Sequence, residues 1–140
     1  MSEYILEARD VHRAFGQTQA LRGAKVAVER GELLAVMGPS GSGKSTLLHC
    51  LAGIYTPNQG EVWFDGARVD TLNEAKRTEL RRDAFGFVFQ FGQLVPELTA
   101  ADNVALPLLL GRVRRKAAYQ AAEQWLARLG LADKGDRAHR

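Results

Sequence analysis

The chain has 140 residues, 46% hydrophobic and 25% charged, a balance that fits one globular domain with its own core and excludes a fibrous, low-complexity or disordered chain. Nineteen Lys and Arg against sixteen Asp and Glu give a net charge of +3, and the single cysteine, Cys50, excludes an internal disulfide and a cysteine metal site. The longest apolar stretch, residues 104–110, is far too short to span a bilayer, and the opening Met-Ser-Glu-Tyr lacks the basic-then-apolar pattern of a signal peptide, so a cytoplasmic chain is expected.

Residues 4–11 alternate weakly and predict a first strand, with turns expected at Phe15-Gly16-Gln17 and at Gly23. Val26 and Val28 alternate with Lys25 and Glu29 in a second strand, Arg30-Gly31 turns, and residues 33–37 form a short apolar run of the kind buried on both faces of a sheet. A helix is expected from Lys44, with Leu47, Leu48, Leu51 and Ile54 on one face and Gly53 and Pro57-Asn58 ending it. Residues 60–69 read as a hairpin about Asp65-Gly66, belonging to an antiparallel layer. Thr71 to Glu74 has capping-box spacing ahead of a charged, exposed helix, and residues 85–89 read as an apolar strand ending at Gln90. A second cap, Thr99 with Asp102, opens another helix. Ala118, Ala122, Trp125 and Leu129 predict a last amphipathic helix that Gly130 stops.

The charge is uneven. Residues 1–111 carry eleven basic and thirteen acidic groups, whereas 112–140 carry eight and three, with Arg112, Arg114, Arg115 and Lys116 clustered. No aromatic residue is interleaved to stack on bases, so the cluster reads as the solvated first turn of a helix and nucleic acid is not an expected partner.

Gly38-Pro39-Ser40-Gly41-Ser42-Gly43-Lys44-Ser45-Thr46 fits the phosphate-binding pattern G-x-x-x-x-G-K-[ST], after an apolar run and opening a helix. Without side chains at Gly41 and Gly43 the backbone can turn tightly and aim its amides at a polyanion, and the helix adds its positive end. Lys44 is expected to reach the β- and γ-phosphates of ATP. Ser45 would place its hydroxyl on the bridging Mg²⁺, and Thr46 would face the α-phosphate. His49 and Cys50 on the helix read as surface and packing residues.

The flanks narrow the family. Glu32-Leu33-Leu34-Ala35-Val36-Met37 before the loop, Leu47-Leu48 and Leu51-Ala52-Gly53 after it, Gly60-Glu61-Val62, and Phe87-Val88-Phe89-Gln90 together resemble the nucleotide-binding domains of ABC transporters across nearly all 140 residues. The segments from Leu94 to Ala100 and from Asp102 to Leu108 are similar to the branch that holds lipoprotein-releasing and macrolide-exporting systems. The resemblance implies an α/β P-loop NTPase fold of ABC type, with an antiparallel β layer, part of a parallel core sheet and the start of a helical subdomain. It implies a subunit that couples ATP binding and hydrolysis to transport across the membrane, with export the expected direction. Gln90 then matches the Q-loop glutamine, on Mg²⁺ and the attacking water, and Phe15 matches the aromatic that stacks on adenine, where tyrosine is commoner. The implied partners are a transmembrane permease subunit and a second nucleotide-binding subunit, with ATP at the homodimer interface and the protein peripheral on the cytoplasmic face of the membrane. An apolar patch at Phe91, Leu94 and Leu98 is the expected docking surface.

The resemblance covers a little over half of a complete domain of this family. Asp136-Arg137-Ala138-His139-Arg140 is similar to the stretch just before the family's Leu-Ser-Gly-Gly-Gln signature. The signature, the strand ending in Asp-Glu (Walker B) and the switch histidine are absent from the 140 residues. Val62-Trp63-Phe64-Asp65 is the one apolar run ending in Asp, and Gly66 follows it where a second carboxylate would be needed. The chain as given is therefore expected to bind ATP without efficient hydrolysis, a truncated product or fragment being the alternative to a working ATPase. Residues 33–37 are expected to lack sheet neighbours on one side. An unrelated P-loop kinase is disfavoured because no acceptor site or lid is recognisable.

Overall fold

The computed structural model describes residues 3–136. The chain forms two compact units, one running to Phe85 and one starting at Gly86.

The first unit is built on two long strands, β1 (Tyr4–Phe15) and β2 (Thr18–Glu29), joined by the turn at Gly16-Gln17. With β3 (Gln59–Phe64) and β4 (Ala67–Arg68) they make a four-stranded antiparallel sheet in the order β2-β1-β3-β4. This is the antiparallel layer expected from the hairpin at residues 60–69. Helix α1 (Lys44–Leu51) lies against its inner face. Ala8, Val11, Leu21 and Val62 from the strands meet Leu47, Cys50 and Leu51 from the helix, and Val69 closes the cluster. Burial of these apolar groups is the main favourable term for the unit. The helix buries Cys50 where the spacing predicted Leu48 and Ile54, both of which face outward. It stops at Gly53, whose amide donates to the Cys50 carbonyl, while the Ile54 amide donates to that of His49, a pairing that satisfies the last free carbonyls.

Two expected features change. Gly23 is not a turn but lies inside β2, at an irregularity in its pairing with β1, where an added Cβ would meet the Asp10 carboxylate. Helix α2 (Glu74–Ala84) is capped by Asn73, whose side-chain oxygen accepts from the Lys76 amide at 2.9 Å, and not by Thr71. The chain at Thr71 is already committed to a turn closed by the Leu72 amide on the Val69 carbonyl, and Asn caps as well as Thr. Glu74 instead binds Arg77 and Arg81.

Residues 33–37 form no strand, and none of the described residues pairs with them. Leu33 and Met37 are 98% and 87% exposed. A parallel strand exists only through its neighbours' ladder, so without one the apolar run stays irregular, and the parallel part of the expected sheet is not present among the described residues. Residues 85–89 are irregular for the same reason.

Asp70 anchors the hairpin. Its carboxylate accepts from the Val62 amide at 2.9 Å and from Arg68 Nε and Nη2 at 2.8 and 2.5 Å, with the side chain only 8% exposed. Burial pushes this carboxyl up, but the Arg68 and Val62 hydrogen bonds outweigh it and hold the pKa below the usual value. A depressed folded pKa stabilises the protein above the unfolded carboxyl's pKa, near ~3.9, and that stability is lost as pH falls through the lower folded value. Asp70→Asn is expected to cost about 1–2 kcal/mol at neutral pH. Urea unfolding at pH 7 and again below pH 4 should show the gap between variant and wild type shrinking in acid.

The second unit packs α3 (Ala100–Leu110) on α4 (Arg115–Arg128), followed by a 3₁₀ turn at Ala132–Lys134. Thr99 caps α3 as expected, its hydroxyl accepting from the Asp102 amide at 3.1 Å while the Asp102 carboxylate accepts from the Thr99 amide at 3.2 Å. Tyr119 on α4 donates its hydroxyl to Asp102 at 2.5 Å, joining the two helices. The inward face of α4 is Ala118, Ala122 and Leu126, the two alanines packing with Ala105 of α3, so the predicted stripe is rotated by one residue after Ala122. Small side chains let the helices approach closely, and Trp125 is turned out, 51% exposed, with the Arg128 guanidinium 4.6 Å from its ring centroid. Gly130 ends the helix as expected, its amide on Ala127 and that of Leu131 on Leu126. Arg112, Arg114, Arg115 and Lys116 are exposed around the start of α4.

Candidate nucleotide-binding site

The loop of residues 38–43 leads from the irregular apolar run into α1, with Gly43 as the helix N-cap. Gly43 has φ +96°, and a Cβ there would lie 2.6 Å from the Ala20 carbonyl oxygen of β2, so only glycine fits between loop and strand. No side chain caps α1 and no acidic residue stands in its first turn. Its leading amides are left for an anion, and the helix dipole favours one there.

Lys44 folds back over the loop. Its Nζ donates to the Gly38 and Pro39 carbonyls at 2.5 and 2.8 Å and lies 3.4 Å from Ser42 Oγ, so the loop holds its own cation at the centre of the turn. Gly41 is open on its outer side, and the Ser42 amide closes the turn on the Pro39 carbonyl. Ser40, Ser45 and Thr46 have hydroxyls without hydrogen-bond partners among the described residues, Ser40 and Ser45 being exposed. A shallow cavity of about 360 Å³ runs from Gly41 and Ser42 along residues 19–24 of β2. Free amides, one lysine, unpartnered hydroxyls and a backbone that admits no Cβ fit a nucleotide's polyphosphate with its metal ion.

Phe15 ends β1, 40% exposed. Its ring meets the edge of Tyr55 with centroids 5.2 Å apart, and the Arg13 guanidinium sits 4.7 Å from its centroid. Arg13 follows from the two-residue alternation that puts Val11, Arg13 and Phe15 on one face of β1. No local pattern in the sequence points to Tyr55, which arrives through the chain reversal after α1.

In the second unit Gln90 is exposed, in the irregular stretch ahead of α3. Phe87 and Phe89 stack with centroids 5.5 Å apart and planes 8° from parallel. Phe91 and Leu94 are exposed and Leu98 is half-buried. No sequence pattern assigned a role to Asn103, which pins this stretch to α3: its side chain accepts from the Val95 amide at 2.8 Å and donates to the Val95 and Thr99 carbonyls. Of the basic stretch at residues 136–140, only Asp136 lies within the described residues; Arg137, Ala138, His139 and Arg140 lie outside them.

An α/β scaffold with a glycine-rich loop feeding an uncapped helix defines a protein of the P-loop class. The chain belongs to the ABC transporter family, whose model, described as ABC transporter, matches residues 21–140. It is similar to the lipoprotein-releasing system ATP-binding protein LolD of Acinetobacter baylyi, 42% identical over 137 residues that cover 94% of this chain and 60% of that one. LolD of Porphyromonas gingivalis is 40% identical over 130 residues, covering 93% and 59%. Among solved structures, the dimeric structure of MJ0796, a bacterial ABC transporter cassette, matches with a TM-score of 0.85 at 32% identity, over 96% of this chain and 61% of that one. The same cassette has been solved as a dimer in a post-hydrolysis state bound to ADP and Pi, with a TM-score of 0.84. The chain thus spans about three-fifths of the length of the curated relatives it matches. Among the described residues no helix is long and apolar enough to cross a membrane.

Proposed function

We propose that the chain carries the ATP-gripping part of an ABC transporter's ATP-binding subunit, in a system that moves lipoproteins or similar cargo out of a membrane. The observation that carries this reading is the loop itself, where Gly43 is pressed onto the Ala20 backbone, Lys44 is drawn over the turn and α1 opens without a cap. Gly38, Pro39, Ser40, Gly41, Ser42 and Gly43 offer backbone to the phosphates, with Lys44 on the β- and γ-phosphates and Thr46 toward the α-phosphate. Ser45 would meet Mg²⁺ at the loop and Phe15 would stack on adenine, while Gln90 keeps the Q-loop role that its sequence match implies. A metal ion held by the Ser45 hydroxyl would supply positive charge to offset that of the phosphates. A second copy completes the nucleotide site, a reading supported by the dimeric state of MJ0796. A permease subunit at the cytoplasmic face of the membrane docks near Phe91, Leu94 and Leu98, two of which are exposed.

The 140 residues hold no apolar strand ending in Asp-Glu to fix the metal and polarise water. Taken alone, these 140 residues should bind Mg-ATP without efficient turnover. Calorimetric titration with Mg-ATP and a phosphate-release assay test both halves. Saturable binding with release at background is the expected result. Absence of binding would remove the nucleotide reading, and turnover well above background would mean that a carboxylate outside the recognised motif activates the water.

A further inference from the structure

Val11, Arg13 and Phe15 stand at alternate positions along one face of β1. Val11 is fully buried against α1, Arg13 is half-buried, and Phe15 is exposed at the strand's end. Arg13 therefore lies on the core side of the Phe15 ring, a position consistent with the effect of its charge on the buried Cys50 thiol. Its guanidinium is 4.7 Å from the Phe15 centroid and 5.4 Å from that of Tyr55. Nη1 donates to the Thr56 carbonyl at 2.8 Å, and the buried Nε has no partner among the described residues. A buried guanidinium nitrogen left unpaired costs free energy, and the stacking on two rings offsets it.

The same contacts connect Phe15 to the loop helix. Tyr55 meets Phe15 edge-on at 5.2 Å and His49 of α1 edge-on at 5.3 Å. Asn58 fixes the backbone beside them, its side chain accepting from the Ala14 amide and its own amide donating to the His12 carbonyl, both at 2.7 Å. The end of β1 is thus clamped on the segment that follows α1, and a ring held this way needs little ordering when a planar ligand stacks on its open side.

We propose that Arg13 is a positioning residue for the nucleobase, locking the Phe15 ring against Tyr55 so that the purine of a bound nucleotide meets a preformed platform in register with the phosphate loop. The inference rests on the reading of Phe15 as the base-stacking residue. It assigns Arg13 no contact with the phosphates, which separates it from Lys44.

The test compares Mg-ATP with Mg-tripolyphosphate, which carries the phosphates without a base, for wild type, Arg13→Met, Arg13→Lys, Phe15→Ala and the Arg13→Met/Phe15→Ala double variant. Arg13→Met should weaken Mg-ATP about five- to tenfold, the range of a partly buried cation–π contact, and leave Mg-tripolyphosphate unchanged. Arg13→Lys, which keeps the charge but not the planar fork, should fall between. The double variant should lose no more than Phe15→Ala alone, because Arg13 acts through that ring. Equal loss for both ligands would give Arg13 a structural or phosphate role and overturn the proposal, as would additive losses or an unaffected Mg-ATP affinity. If Phe15→Ala itself leaves Mg-ATP binding intact, the base-stacking reading fails and this inference with it; a loss in Phe15→Ala with none in Arg13→Met defeats the inference alone.

Discussion

Lys44→Ala should lower the affinity for Mg-ATP by about thirtyfold or more, because truncating a charge-paired contact of this kind costs about 2–5 kcal/mol and each 1.4 kcal/mol is tenfold. The ammonium lies at the centre of the turn, donating to the Gly38 and Pro39 carbonyls at 2.5 and 2.8 Å. A polyphosphate entering the loop exchanges those neutral acceptors for charged ones, so the attraction gained is ionic while the position of Nζ changes little. Alanine removes the only cation within the loop's reach among residues 38–46 and leaves the backbone amides to bind the anion alone. Lys44→Arg separates charge from shape: a planar guanidinium cannot settle into a turn sized for a compact ammonium, so it should recover only part of the loss. Isothermal titration with Mg-ATP measures all three proteins. An alanine variant that binds as wild type does would remove the loop from the nucleotide site.

The loop was legible because its chemistry is local. Nine consecutive residues specify the turn, the amides and the cation, and the helix after them begins at Lys44 as the pattern requires. The hairpin about Asp65-Gly66 and the Thr99 cap were legible for the same reason, each being fixed by residues a few positions apart. What escaped the sequence depends on distant neighbours. Residues 33–37 have the composition of a buried strand, yet a strand is made by its ladder, and the ladder is not supplied by the described residues. Helix α4 turns Trp125 outward because the Ala-lined contact with Ala105 on α3 admits only small side chains, a constraint that lies on another helix. Asn73 displaced Thr71 as a cap through competition with a turn that the spacing rule does not weigh. Around Phe15, alternation brings Arg13 to the ring, but Tyr55 comes from forty residues away in the chain.

Gly60 shows the same division at its sharpest and carries the largest expected effect on stability. The sequence marks it only through the resemblance of Gly60-Glu61-Val62 to the family. The structure supplies the cause: β1 carries one extra residue between Arg9, opposite Glu61, and His12, opposite Gln59, and Gly60 faces that bulge. At φ +94°, a Cβ on residue 60 would lie 2.3 Å from the Asp10 carbonyl oxygen and 2.7 Å from that of Arg9. Both obstacles are backbone, so neither can swing away, and relief requires β1 and β3 to part in the middle of the sheet. Gly60→Ala should therefore destabilise the first unit by about 3 kcal/mol or more, a fall in melting temperature on the order of 10 °C or greater. Gly66, at φ +80° with open space where its Cβ would go, isolates the conformational cost, and Gly66→Ala should lose only about 1 kcal/mol. Trp63 lies on β3 in the first unit and the half-exposed Trp125 in the second, so thermal unfolding followed by fluorescence in a Trp125→Phe background reports on the sheet alone. Equal losses at the two glycines would mean that backbone conformation, and not the approach of the bulge, decides the residue at position 60.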